Sequence, residues 1–302
     1  AGSAQYARVS AMSYRSAMHD RMTIGTFEVI PLLDGVDDID HPEGMVEEFP
    51  GPSNEDWEPY RVLYPDLFST SGGWRLPIRA WLVRDARHVI LVDTGVGPST
   101  APAMEWFPRP GLILEELAAA DTEQADVDSV VITHVHSDHL GGACTRDRTP
   151  AFPNARYLIH RADVAWMRST RDSDEENKAI WDLLAEPIAS NGQLVEIDDA
   201  FEVAPGVRTR HLPGHTPGHQ GIRLEAHDAA LLLTADTFNH PAQLDHPDWP
   251  GSSDNDPHTA SALRRVMLEE LVGTGQLIAP SHFAEPFGTV TTDAGRVVWR
   301  PG

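Results

Sequence analysis

The sequence predicts a single large α/β or layered α+β domain, and three observations carry that expectation. Short apolar runs of strand length recur along most of the 302 residues, separated by turn residues such as Gly, Pro and Asp. In each half a group of strands is followed by a stretch with helical spacing, which points to two similar layers. The hydrophobic fraction is 41%, ample for a sizeable core at this length. Residues 1–21 lack a core pattern and read as an N-terminal extension, so a single domain is expected over 22–302. The opening Ala1-Gly2-Ser3, with no Met, reads as an added segment.

The elements follow in order. Residues 23–33 are rich in β-branched and aromatic side chains and predict the first strand, stopped by Asp34-Gly35. Residues 36–76 are rich in Asp, Glu, Pro and Gly, with Trp57, Tyr60, Tyr64, Phe68 and Trp74 interspersed. A long irregular segment of this kind reads as a functional loop or lid, or as a loop that its aromatics anchor to the body. Residues 78–83 and 88–92 flank Arg84-Asp85-Ala86-Arg87 as a hairpin, and Asp93-Thr94-Gly95 closes its second strand. Residues 111–120 have helical spacing, and 127–133 predict a buried strand. Residues 156–160 are the next strand, and 162–189 predict two helices joined by the polar run 171–177. Short strands are expected at 194–197, 201–203, 207–211, 221–224 and 230–233. Residues 256–272 are a helix with Pro257 in its first turn and Gly273 at its end. Strands at 277–279, 288–291 and 297–299 complete the chain.

Charge removes several classes of function. There are 46 acidic against 23 basic residues, a net charge of −23. Such a surface repels phosphodiester backbones and anionic membranes, so neither nucleic acid nor membrane is an expected partner. No apolar run reaches membrane-spanning length and residues 1–21 carry no secretory pattern, so a cytoplasmic protein is expected. Cys144 is the only cysteine; it forms no intrachain disulfide and is expected to be a small buried side chain.

The chemistry concentrates in Thr133-His134-Val135-His136-Ser137-Asp138-His139-Leu140-Gly141-Gly142, directly after the apolar run Val130-Val131-Ile132. Imidazole and carboxylate are the usual ligands of zinc and similar ions. Four such groups in six residues cannot all point one way on a strand or helix, so the stretch reads as a strand ending in a tight loop. Three further candidates also follow apolar runs or tight turns. His215 stands in His211-Leu-Pro-Gly-His-Thr-Pro-Gly-His219, Asp236 follows residues 230–235, and His282 follows Ile278-Ala-Pro-Ser. The repeated placement at strand ends points to a metal-dependent hydrolase. His211 and His219 read as turn positions or supports behind the ligands. His240 and His246 are candidates for the pocket lining, and His19, His41, His88, His160, His227 and His258 read as surface or turn residues.

Taken together, HxHxDH, the later GHTPGH, an Asp after an apolar strand and a C-terminal His after another resemble the metallo-β-lactamase fold superfamily. The resemblance runs from about Thr23 to the C-terminus. It implies a four-layer αββα sandwich with a dinuclear site at one edge. One metal would be held by His134, His136 and His215, the other by Asp138, His139 and His282, with Asp236 bridging. Two Zn2+ ions are expected, and the mixed N/O set also admits iron or manganese. The resemblance places Asp93 behind the metal loop as its support. A metal-bridging hydroxide would attack the substrate, with Asp138 as the catalytic residue that orients it and moves the proton.

Within that superfamily the chain looks most like the lactonase and organophosphate-hydrolase branch. The run Asp236-Thr-Phe-Asn-His240-Pro-Ala-Gln243 and the pair His282-Phe283 before Pro286-Phe287-Gly288 carry the likeness. Small acyl-homoserine lactonases place a Tyr three residues after the bridging Asp; Asn239 stands there in this chain, after Phe238. The expected substrate is a small ester-like molecule, a lactone first. A thioesterase or cyclase on a carrier-bound polyketide is one alternative; it would favour an Arg patch near the mouth, from Arg75, Arg79 or Arg109. A phosphotriesterase is another, and a non-catalytic binding member is disfavoured by the intact ligand set. Trp57, Trp74, Trp106, Phe107, Phe238 and Phe283 are candidates for an aromatic wall, Asn239 and His240 for the pocket. The resemblance also admits a homodimer through the N-terminal arm.

Overall fold

The computed structural model of the chain describes residues 21–227 and 229–302. His19, and with it almost all of the expected N-terminal arm, lies outside the described residues. The alternation of apolar runs and turns produces two seven-stranded sheets. The first contains, in spatial as in chain order, β1 (Met22–Ile24), β2 (Phe27–Ile39), β3 (Trp74–Arg84), β4 (Val89–Val92), β5 (Ser129–Ile132), β6 (Arg156–His160) and β7 (Leu194–Ile197). The second contains β8 (Glu202–Ala204), β9 (Val207–His211), β10 (Gln220–Glu225), β11 (Ala230–Ala235), β12 (Leu277–Pro280), β13 (Gly288–Asp293) and β14 (Arg296–Pro301), again in consecutive order. Both sheets are mixed. β4 through β7 pair in parallel, as do β11 and β12, while the remaining neighbours are antiparallel.

The sheets pack face to face. Val29, Trp81, Val83, Val92, Val131 and Leu158 from the first meet Val207, Ile222, Leu224, Leu231, Leu233 and Ala279 from the second in one buried cluster. The same strands are apolar on their other face, which needs cover from water. α1 (Met45–Glu48) and α2 (Asn54–Leu63) lie between β2 and β3, and α3 (Ile113–Ala119) follows β4. α4 (Ser137–Leu140) is a single turn after β5. α5 (Arg161–Thr170), α6 (Glu175–Ile180) and α7 (Glu186–Ser190) follow β6, with a π-helical turn, Trp181–Ala185, joining the last two. α3, α5 and the α6–α7 segment cover the outer face of the first sheet. α8 (Ala242–Asp245) and α9 (Pro257–Leu271) follow β11, and α9 covers the outer face of the second through Met267, Leu268 and Leu271. Helices outside two packed sheets make the expected αββα sandwich.

Two expectations are corrected. β2 does not stop at Asp34-Gly35 but continues to Ile39 through a register shift at that point. The Asp34 carboxylate does not turn the chain; it is buried and accepts from Val96 N, Leu112 N and Ile113 N, tying two later loops to β2. The segment 36–76 is not irregular either. It holds the end of β2, α1, α2 and the start of β3, and Phe49, Trp57, Tyr60 and Phe68 form a core of their own. No helix among the described residues is long and apolar enough to cross a membrane.

Candidate metal centre

β5 is buried along its whole length and delivers Thr133 to the edge of the sandwich. The chain then folds back as α4, with His136 before its first turn. The loop is closed from behind by the segment after β4: Thr94 N donates to His139 O at 2.7 Å and Gly142 N to Gly95 O at 3.2 Å. A Cβ on Gly141 would press into the Val96 carbonyl, and one on Gly142 into that of Thr94. The Gly-Gly pair is therefore required by close backbone approach.

Seven side chains from four strand ends meet here. His134 Nε2 lies 3.1 Å from His136 Nδ1. His215 Nε2 is 3.5 Å from Asp236 Oδ2, and His139 Nε2 is 3.3 Å from Asp236 Oδ1 and 3.4 Å from Asp138 Oδ2. His282 Nε2 is 2.9 Å from Asp236 Oδ2 and 3.7 Å from Asp138 Oδ2. Ligands about 2.1 Å from a tetrahedral ion lie about 3.4 Å apart, so this spacing suits divalent ions. Three overlapping groups have the required proximity: His134, His136 and His215; His134, His139 and Asp236; Asp138, His139 and His282.

The far side of the imidazoles is fixed by the protein. His139 Nδ1 donates to Asp93 Oδ2 at 2.8 Å, His215 Nδ1 to Asp254 Oδ1 at 3.0 Å, and His282 Nδ1 to Pro77 O at 2.8 Å. Those bonds select the tautomer with a lone pair on Nε2, facing the cluster. His139 Nε2, His215 Nε2 and Asp236 Oδ1 are buried without a hydrogen-bond partner. Buried polar atoms are normally satisfied, so an orphaned set of lone pairs aimed at one place fits a bound cation. Asp93 also accepts from Thr133 N and Thr133 Oγ1, each at 2.8 Å, and so holds both ends of the loop.

The electrostatics agree with that fit. Burial pushes His136 down to about 3, which leaves its imidazole neutral and able to ligate at neutral pH. Burial likewise holds His134 well below its ordinary value, with the neighbouring His139 adding to it. At His139 burial opposes a proton, yet Asp236, Asp138 and Asp93 outweigh it and push the group up. Buried carboxylates packed this closely call for positive charge between them.

A cavity of about 650 Å³ opens over the cluster, and His136, Asp138, Asp236 and His282 form part of its wall. Of the candidate aromatic wall, Trp74 and Trp106 line it, joined by Trp166. The others pack behind it: Trp57 and Phe107 in the core beside α2, Phe238 and Phe283 under α9. His240 is fully buried among Phe49, Trp57, Tyr64 and Phe68 and is not part of the lining; His246 stacks on Trp249. Asn239 does line the cavity. His219 supports Asp236 from behind, its Nε2 accepting from Asp236 N at 3.1 Å. His160 is buried rather than at the surface: Ala162 N donates to its Nδ1, and its ring stacks on His211 at 4.3 Å. His160 Nε2 lies 2.8 Å from Asp199 Oδ1, and His211 Nδ1 lies 3.3 Å from the same oxygen. None of Arg75, Arg79 and Arg109 lines the mouth; Arg75 and Arg109 pair with Asp38 and Asp37.

Asp254 escapes a reading of the sequence. It lies in a polar loop with nothing to mark it, yet its side chain is fully buried between His215 and Arg264. The available signal was Arg264, a charge on the apolar face of α9 that needs a buried partner.

A family model described as the metallo-beta-lactamase superfamily matches residues 73–278. Among curated proteins, an N-acyl homoserine lactonase from Bacillus sp is 30% identical over 175 residues, 53% of this chain and 64% of that one. The match thus spans less than two thirds of that relative. The acyl-coenzyme A thioesterase MBLAC2 of Homo sapiens is 26% identical over 217 residues, 67% of this chain and 72% of that one. Among solved structures, AidC, described as a dizinc quorum-quenching lactonase, superposes with a TM-score of 0.79 at 24% identity, covering 94% of this chain and 97% of its own. The hydrolase AbOPH gives 0.80 at 22% identity, covering 93% and 96%. At these identities the two structures speak to the fold.

Proposed function

The chain belongs to the metallo-beta-lactamase superfamily, and on that premise we propose that it is a metal-dependent hydrolase that opens small neutral lactones. His134, His136 and His215 would hold one ion and Asp138, His139 and His282 the other, with Asp236 between them. Zinc in such a site would supply a hydroxide nucleophile at neutral pH and positive charge to polarise a carbonyl. Asp138 is the residue that handles the proton. It lines the cavity, and although burial raises its pKa, His139 and His282 outweigh it and keep the carboxylate ionised.

The observation that carries the substrate class is the lining of the cavity. Asp38, Asp40, Glu48, Asp174 and Glu176 stand around it, Trp74, Trp106, Trp166, Ile39 and Leu76 give it apolar surface, and among the described residues no Lys or Arg lines it. A polyanionic carrier such as coenzyme A would meet like charge there, at a cost that falls with salt. The thioesterase reading, which the likeness to MBLAC2 raises, is the weaker for that reason. A neutral ester with an apolar substituent meets no such penalty. The lactonase relatives support the ring-opening reaction. The test is kcat/KM of zinc-loaded protein on γ-lactones, aryl esters, phosphotriesters and acyl-coenzyme A thioesters. The reading expects lactones to lead by at least ~100-fold, or about 2.7 kcal/mol in transition-state binding. A preference for the thioesters would overturn it.

A further inference from the structure

Asp163 stands in the first turn of α5 and is fully buried. Among the described contacts no Lys or Arg pairs with it, and its hydrogen-bond donors are neutral. Thr216 Oγ1 donates to Oδ2 at 2.8 Å and Gly218 N to Oδ1 at 2.6 Å. The Val135 backbone N–H is a further, weaker donor. The fit at Gly218 is close. A Cβ there would lie 2.6 Å from Asp163 N and 2.9 Å from its Cγ, so glycine lets the loop sit against the helix. Burial pushes the Asp163 carboxyl up to about 6, against those donors and the nearby His215. A buried carboxylate without a basic partner costs folding free energy. What it secures is a hold on two separate loops. Val135 stands between His134 and His136, and Thr216 follows His215. Those three histidines form one of the groups close enough to share an ion, with ring centroids 4.6 to 4.7 Å apart. Gln220 N joins the same two segments at the strand ends, donating to Thr133 O at 2.8 Å; Asp163 joins them at the loops. Among the described contacts none links Asp163 to Asp138, His139 or His282.

We propose that Asp163 is a positioning residue for one ion only, the one assigned to His134, His136 and His215: it sets the spacing between the two loops that carry those ligands. The inference rests on the two-metal reading of the site given above. Ligands already in place bind an ion without the cost of ordering the chain that carries them. Without the Asp163 carboxylate, His134 and His136 keep their attachment to β5 and His215 keeps its bond to Asp254. What is lost is the anchor common to both loops. The first ion then binds more weakly, and the ion of Asp138, His139 and His282 does not. Geometry carries the effect and not the negative charge. An Asn at the same place can still accept from Gly218 N through Oδ1 and donate to Thr216 Oγ1 through Nδ2, so it should hold the loops nearly as well.

The experiment measures zinc affinity by chelator competition in two single-ion backgrounds. His282→Ala leaves the ion of His134, His136 and His215; His215→Ala leaves the other. Asp163→Ala is expected to weaken zinc by about 10–100-fold in the first background and by less than threefold in the second. Asp163→Asn should recover most of the loss in the first. Equal losses in the two backgrounds, or no loss in either, overturn the proposal. So does an Asn variant no better than Ala, which would assign the effect to charge. Thr216→Val removes a single bond to Asp163 and is gentler on the fold. It should weaken the first ion alone by about tenfold, as for a lost hydrogen bond to a charged group; an unchanged affinity counts against the proposal even where Asp163→Ala does not fold. If either background binds no zinc, the two-metal reading falls and amide exchange of the metal-free protein decides. Gly218 N–H should then exchange at least ~10-fold faster in Thr216→Val than in wild type, and a rate within threefold removes Asp163 as the anchor of that loop.

Discussion

Removing the Asp138 carboxylate should separate chemistry from folding. It lies at the cavity wall and is 9% exposed, and among the described contacts no backbone group depends on its side chain. Asp138→Ala is expected to lower kcat by about 10²–10⁴-fold while the far-UV circular dichroism stays native; turnover within a few-fold of wild type would remove its role. Asp254 has the opposite profile. It orients His215 and neutralises Arg264, both buried. Asp254→Ala leaves a buried guanidinium unpaired, so a loss of roughly 3–5 kcal/mol is expected in urea unfolding. Metal affinity should fall by about 10–100-fold in chelator competition. Asp138 is legible in the sequence because it stands inside a dense cluster of metal-binding residue types. Asp254 is not, because its role depends on a contact across 39 residues with His215, which only the packed structure supplies.

At the scale of elements, β3 reaches across the sandwich to hold His282, the last strand-end ligand candidate. Pro77 O accepts from His282, and the buried Arg79 donates to the carbonyls of Ser281, Phe283 and Ala284 on either side of it. Arg79→Met should release that loop, and the expected readout is one metal bound more weakly than the other in a chelator titration. Two metals lost or retained in parallel would contradict a local role. The Asp34 carboxyl is the corresponding tie at β2. Burial pushes it up to about 6 from an ordinary 3.8, against three backbone donors that pull it down. Its folded-state pKa is raised, so the native state keeps a proton that the unfolded chain has lost. Asp34 therefore favours folding most below pH 4 and progressively less as pH rises to about 6. In Asp34→Asn that particular pH dependence should vanish from urea-unfolding curves, and its persistence would show that another group carries it. Asp34-Gly35 reads as a turn in the sequence because those residue types favour turns. A bulge inside a long strand uses the same types, and only the later loops reveal which applies. The helical content of 36–76 was hidden for a related reason: its scattered Pro, Asp and Glu mask two short helices whose aromatics find their core only after folding.

Across the whole molecule, the four strand-end positions could be read in advance because each ligand candidate follows an apolar run or tight turn that a buried strand explains. The hairpin β3–β4, the strands of the second sheet and α9 fall where alternation and helical spacing put them. The cavity could not be read that way. Its wall combines Asp38 and Glu48 with Trp106, Trp166 and Glu176, residues scattered over more than 130 positions and joined only by the packing of β2, α1, α5, α6 and the loops between strands. The acidic lining matches the sign of the net charge of −23. Long-range steering should therefore disfavour anionic substrates, more so at low ionic strength.

The central claim is that seven side chains form a two-metal centre, and metal analysis tests it most directly. Protein purified without chelator and dialysed against metal-free buffer would be digested and its zinc, iron and manganese counted per chain. The account predicts close to two tightly bound ions per chain, falling toward one when His282 is replaced by Ala. Fewer than one ion per wild-type chain would contradict it.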